Sequence, residues 1–145
     1  MNLPPRRRTW LAGLALAAIP ALALAAPATV WDGAYSEAQA KRGEAQYTAH
    51  CASCHGDNLA GADVAPPLAG GGFLSNWSGQ SAGDLFTRIK TTMPQDNPGS
   101  LGSAAVADVE AYILSKNGFP AGSTELPRDA SLLGQTKIVP DRPGA

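Results

Sequence analysis

Both cysteines of this chain fall in one run, Cys51-Ala52-Ser53-Cys54-His55, which also holds one of its two histidines. Two thiols at that spacing, with an imidazole directly after them, restrict the chain to few chemistries. A disulfide across a two-residue gap constrains the unfolded chain very little and makes a poor staple. A thioredoxin-like pair normally follows a strand in an α/β unit, and no alternating β-branched strand precedes Cys51. A zinc site needs a second ligand pair, and there is no further cysteine. The remaining reading fits every position. C-x-x-C-H is the attachment signature of a c-type haem: the thiols add across the porphyrin vinyl groups, and the histidine gives the iron an axial nitrogen.

Such attachment follows export, and the N-terminus carries an export pattern. Arg6-Arg7-Arg8 precede an apolar stretch, Leu11 to Ala25, and Ala26-Pro27-Ala28 is a small-residue cleavage signal. The stretch is shorter than the about 20 residues a membrane-spanning helix needs, and Pro20 interrupts it. Residues 1–28 therefore read as a signal peptide of the general secretory type, with cleavage nearer Ala23 or Ala25 and an uncleaved anchor as alternatives. The expected location is the periplasm, with no stable membrane insertion after cleavage. Three of the 11 basic residues lie in that segment and all 12 acidic ones beyond it, so cleavage leaves a net charge of −4. This argues against nucleic acid as a partner. Aromatic residues are only 6% of the chain, so a buried porphyrin would supply core area that side chains do not.

The rest reads as all-α. Ser36-Glu37-Ala38-Gln39 is a capping-box pattern opening a helix from Glu37 to Ala49, on which Gly43 and Tyr47 share a face. Residues 56–79 are glycine-rich and read as loop. Ser81-Ala82-Gly83-Asp84 opens a second helix, expected to end near Thr92. Ser103 is the expected cap of a third, with Val106, Val109, Tyr112 and Ile113 along one side, stopped by Asn117-Gly118. Residues 29–120 form the expected domain and 121–145 a Pro- and Gly-punctuated tail.

A helix running into C-x-x-C-H, a glycine-rich loop, Met93-Pro94 and a last amphipathic helix together resemble the class I cytochrome c family over roughly residues 37–118. The resemblance implies a small all-α fold, three or more helices wrapped around one covalent haem c. It implies that Gly43 and Tyr47 on the first helix cross Tyr112 on the last. Met93 matches the family's distal ligand, a thioether that raises the potential by favouring the softer ferrous ion. Pro66-Pro67-Leu68 resembles the element whose proline carbonyl accepts the second N–H of the proximal histidine. Pro66 is the expected acceptor, Pro67 one register away, and Leu68 would pack on the porphyrin face. Trp77 and Arg88 match positions that tie a haem propionate, although a packed indole and a surface arginine explain them equally. His50 directly precedes Cys51, on the proximal side, and is poorly placed for the opposite face. Lys90 and Lys116 would ligate only when deprotonated.

The function this implies is one-electron transfer rather than enzymatic chemistry, since no nucleophile–base pair or carboxylate dyad stands out. Trp31-Asp32-Gly33-Ala34-Tyr35-Ser36-Glu37 and Met93-Pro94-Gln95-Asp96-Asn97-Pro98-Gly99 resemble cytochromes accompanying quinoprotein alcohol dehydrogenases. That implies such a dehydrogenase as donor and an oxidase or another cytochrome as acceptor. The alternatives are a haem enzyme or gas sensor with a labile Met93, and a subunit docked on a dehydrogenase, motivated by the apolar tail residues Leu126, Leu132, Leu133, Ile138 and Val139, which either cover this chain's own domain or sit against a partner.

Overall fold

The structure, a computed structural model, describes Met1 and residues 27–63 and 65–144; the expected signal segment lies almost wholly outside the described residues. Among these, a 3-10 turn (Val30–Asp32) precedes six helices: α1 (Glu37–His50), α2 (Ala52–His55), α3 (Gly70–Trp77), α4 (Ala82–Thr92), α5 (Ser103–Lys116) and α6 (Ala130–Leu133). There are only isolated β-bridges and no strands among the described residues. No helix of the described residues is long and apolar enough to cross a membrane.

The arrangement is built on the crossing of α1 and α5. A Cβ on Gly43 would collide with the Asp108 carbonyl oxygen and come within 2.9 Å of Tyr112 Cβ. Glycine costs a helix interior about 1 kcal/mol against alanine, and backbone contact between the helices is what offsets it. One turn on, the Tyr47 and Tyr112 rings pack with centroids 5.3 Å apart, an arrangement worth about 0.5–1.5 kcal/mol beyond area burial. At the solvent edge, Arg42 spans Asp108 at 3.0 Å and Glu125 at 2.9 Å, tying α1, α5 and the tail. These carboxylates raise the already high pKa of its guanidinium.

Helix α4 starts as its sequence dictates. Ser81 accepts from the Asp84 amide, and the Asp84 carboxylate reaches back to the Ser81 amide at 2.8 Å. Those bonds hold Asp84 below the usual carboxylate range. The box expected on α1 is only half made. Ser36 accepts from the Gln39 amide, but the Gln39 side chain is buried and turns to the tail, donating to Leu126 O at 3.2 Å and accepting from Leu126 N at 2.7 Å. The cap expected at Ser103 is also corrected: α5 begins at Ser103 behind an extended Gly102, with no side-chain cap. A third correction is α3, which lies inside the stretch read as loop. Its three glycines occupy only the first turn, while Phe73 and Trp77, four apart, stack at 6.4 Å and anchor it.

The tail is folded onto the body. Lys137 N donates to Ala28 O at 2.9 Å, Val30 N to Lys137 O at 2.9 Å, and Ile138 N to Gln80 O at 2.9 Å. Thr136 Oγ1 donates to Pro27 O at 2.8 Å and Trp31 Nε1 to Val139 O at 3.0 Å. Leu126, Leu133 and Ile138 are core residues, whereas Leu132 is 58% exposed.

Helix α5 is buried on nearly every side and carries one charge-bearing residue in its core. Glu110 is 0% exposed, and neither carboxyl oxygen has a hydrogen-bond partner among the described residues. Burial alone raises its pKa well above the ordinary 4.5.

Two outcomes follow from this packing. Gly43→Ala should destabilise the protein by about 2–3 kcal/mol, read as a lower urea midpoint. For Glu110, the folded state keeps a proton that the unfolded chain releases above its ordinary value of 4.5. Stability should therefore fall as pH rises above that value, by up to about 1.4 kcal/mol per pH unit. Urea unfolding at several pH values should show this component absent in Glu110→Gln.

Candidate functional site

The two cysteines and His55 are placed by two successive turns. Helix α1 ends as Cys51 N donates to Tyr47 O at 2.8 Å. Cys54 N and His55 N then both donate to Cys51 O, at 3.1 and 2.9 Å, closing the single turn of α2. Tyr47 braces the turn from the core side, its hydroxyl donating to Gly56 O at 2.7 Å. Burial, more than the neighbouring Cys51, raises the Tyr47 pKa, so it stays a protonated donor. Cys54 is exposed and Cys51 half-buried, with neither in a disulfide. Burial, then the proximity of Cys54, pushes the free Cys51 thiol up to about 11.

The loop after α2 folds back beneath the histidine. Gly61 N donates to His55 O and Leu68 N to Leu59 O, at 2.9 and 2.8 Å. Gly61 takes φ +79°, and a Cβ there would come within 2.5 Å of Ala65 O and 2.8 Å of Pro67 N. This tight return sets the Pro66 carbonyl 2.9 Å from His55 Nδ1. With Nδ1 donating to that oxygen, the ring's other nitrogen, Nε2, keeps its lone pair for a metal. His55 is buried, so the imidazole is both oriented and shielded.

Leu68, Leu74, Trp77 and Met93 are partly buried and pack against the core cluster, as do Cys51 and Ala52. Met93 leaves α4 in extended conformation, and the turn after it is closed by Gly99 N donating to Met93 O at 3.2 Å. Lys90 Nζ donates to Leu101 O at 2.8 Å and to Gly99 O at 3.3 Å. That lysine is occupied in holding the turn, and the Lys116 ammonium lies over the Tyr112 ring at 5.2 Å. His50 is exposed at the end of α1.

The residue set fits a haem on its own chemistry. It offers two free thiols at attachment spacing, an imidazole with one nitrogen committed and one available, and a thioether. Around them lie apolar side chains left half-covered by the protein. Of the two residues expected at a propionate, Trp77 stacks on Phe73 and its indole N–H has no partner among the described residues. Arg88 is exposed on α4, and the structure does not bring it into this group.

One supporting residue escaped the sequence reading. Asn117 was legible as a helix stop, but its side chain also clamps the loop to α5, Nδ2 donating to Leu68 O and Oδ1 accepting from Gly70 N, both at 2.9 Å. An asparagine at the end of the last helix is the only signal, and that signal belongs equally to an ordinary C-terminus. Asn117→Ala should cost about 1–3 kcal/mol and speed hydrogen exchange at the Gly70 amide. Unchanged protection there would show that the clamp is not needed.

Residues 38–113, just over half of the chain, match the family model described as cytochrome c oxidase, cbb3-type, subunit III. No curated protein matches. Among solved structures, the crystal structure of the sulfane dehydrogenase SoxCD from Paracoccus pantotrophus matches with a TM-score of 0.52 and 22% identity. The match covers 87% of this chain and 68% of that one, a likeness of fold.

Proposed function

Because this chain belongs to the c-type cytochrome family matched over residues 38–113, carrying covalent haem c and transferring electrons, we propose that it is a periplasmic one-electron carrier with His55 and Met93 as axial ligands. The haem supplies a reversible ferric/ferrous couple. Cys51 and Cys54 hold it by thioether bonds, and His55 gives Nε2 to one face. The Pro66 carbonyl, 2.9 Å from Nδ1, is the observation that carries this reading. It fixes the tautomer and plane of the imidazole and strengthens the nitrogen as a donor.

Met93 occupies the other face. Its backbone is held by Gly99 and its turn by Lys90, so the thioether is kept in place and competing ligands are excluded. Leu68 and Leu74 keep water from the group, and Trp77 has a free N–H to offer a propionate. A closed ligand set with little rearrangement suits transfer rather than substrate chemistry.

The resemblance of the Trp31–Glu37 and Met93–Gly99 segments to cytochromes of quinoprotein alcohol dehydrogenases supports such a dehydrogenase as donor, with an oxidase or another cytochrome as acceptor. The Arg6–Arg8 and Leu11–Ala25 pattern supports export. Because Pro27 and Ala28 accept hydrogen bonds from Thr136 and Lys137, cleavage upstream of Pro27 keeps contacts that cleavage after Ala28 removes.

Intact mass and a pyridine haemochrome spectrum of the periplasmic protein should report one haem, thioether linkage and an N-terminus at or before Pro27. The reduced protein should not change its spectrum under carbon monoxide, whereas Met93→Ala should keep its haem, bind carbon monoxide and show a lower potential. Ready carbon monoxide binding by the unaltered protein would instead favour an enzyme or sensor.

A further inference from the structure

Among the described residues, Glu110 is the one buried ionisable side chain that neither the fold nor the haem site uses. It sits on α5 with Val106 and Ala107 one turn before it and Ile113 and Leu114 one turn after, all at most 1% exposed. By helical spacing these four surround it on its own face. Both carboxyl oxygens lack a hydrogen-bond partner among the described residues. A group so placed normally has one, because an unpaired buried polar atom costs stability and is selected against unless it does something.

The elements packed on α5 bring no countercharge to it. On α1, Glu37, Lys41, Arg42 and Glu44 are exposed, and the Tyr47 hydroxyl is committed to Gly56. On α4, Asp84 and Arg88 are exposed and Lys90 is held by the Gly99 and Leu101 carbonyls. In the tail, Glu125 pairs with Arg42, while Arg128, Asp129 and Lys137 lie at the surface. On α5 itself, Asp108 takes Arg42 and the Tyr112 ring takes Lys116. Only the medium therefore sets the protonation of Glu110, together with any charge that changes inside the same core.

We propose that Glu110 is an internal proton-binding site coupled to electron transfer. This rests on the haem-carrier reading above. The core cluster containing the α5 residues is contiguous with Leu68, Trp77 and Met93, so Glu110 shares its interior with the proposed haem. When an electron enters from the redox partner, positive charge in the core falls by one and the carboxylate binds a proton from solvent more tightly. When the electron leaves, that proton is released to solvent. One electron and one proton move in the same direction, and no bond other than the O–H is made or broken. Within a domain of about 13 Å radius of gyration, a unit charge acting through an effective dielectric of about 20 changes proton affinity by about tenfold. For a one-electron couple that tenfold is about 59 mV.

The test is the reduction potential of the haem-loaded protein against pH, with Glu110→Gln beside it. The wild-type potential should fall as pH rises through a window above the ordinary carboxylate range, by about 59 mV more in total than that of the Gln variant. Propionate titrations persist in both proteins and cancel in the difference. Redox-difference infrared spectra of the wild type should show a protonated-carboxyl stretch that changes with oxidation state and is missing from Glu110→Gln. Equal pH dependence in the two proteins, or a difference spectrum with no such band, overturns the proposal. If Glu110→Gln fails to fold, wild-type protein carrying carbon-13-labelled glutamate still decides, because the label shifts a band from Glu110, the buried glutamate, and leaves a propionate band where it is. Absence of haem from the wild-type protein would overturn the carrier reading instead, and the haemochrome spectrum separates that failure from this one.

Discussion

The contact on which the rest depends is the backbone-to-backbone approach of α1 and α5 at Gly43. It fixes the C-terminal end of α1, which Cys51 caps. It also fixes the last turn of α5, where Asn117 holds Leu68 and Gly70. The attachment motif and the loop that orients its histidine are thus referred to the same pair of helices. A side chain at position 43 would move both at once. Tyr47 joins the two halves of this arrangement, its ring against Tyr112 and its hydroxyl on Gly56.

The site is held by unequal means on its two sides. Around His55 the contacts are short in sequence: Cys51 to His55, His55 to Gly61, Leu59 to Leu68, His55 to Pro66. Such bonds close small loops and cost little chain entropy. Met93 has no bond of that kind to the motif; it is presented by α4 and by the turn that Gly99 and Lys90 close. The His55 side is therefore determined locally and Met93, the proposed second ligand, by tertiary packing, which would match the rigidity each role needs. An imidazole must keep one tautomer and plane, while a thioether has only to reach.

What the sequence made legible follows the same division. The motif, the Ser81 cap and the Gly43–Tyr47–Tyr112 crossing rest on local spacing or on a familiar pattern, and α1, α4 and α5 appear near their expected bounds. Features owed to distant partners did not show. Gln39 looks like the second half of a capping box, but its amide pairs with the backbone of Leu126, 87 residues away. Three glycines hide α3, because its stability comes from the Phe73–Trp77 stack and from Asn117 capping it from another helix. The burial of Glu110 is invisible for a similar reason. A glutamate four residues before Leu114 on an amphipathic helix looks like surface until tertiary packing buries that side of α5.

The tail changes how partners must be met. Of the two places its apolar residues could pack, the protein's own domain or a partner, Leu126, Leu133 and Ile138 take the first and fill the core, and its backbone is paired with residues 28–30 and 79–82. Among the described residues from 27 onward, only Leu132 remains as a large exposed apolar side chain. A permanent interface needs an extensive apolar patch, whereas weak redox encounters use small ones. The residues beyond 28 carry a net charge of −4, and charge of this kind can guide the approach of a redox partner with a basic face, an effect that weakens as salt rises.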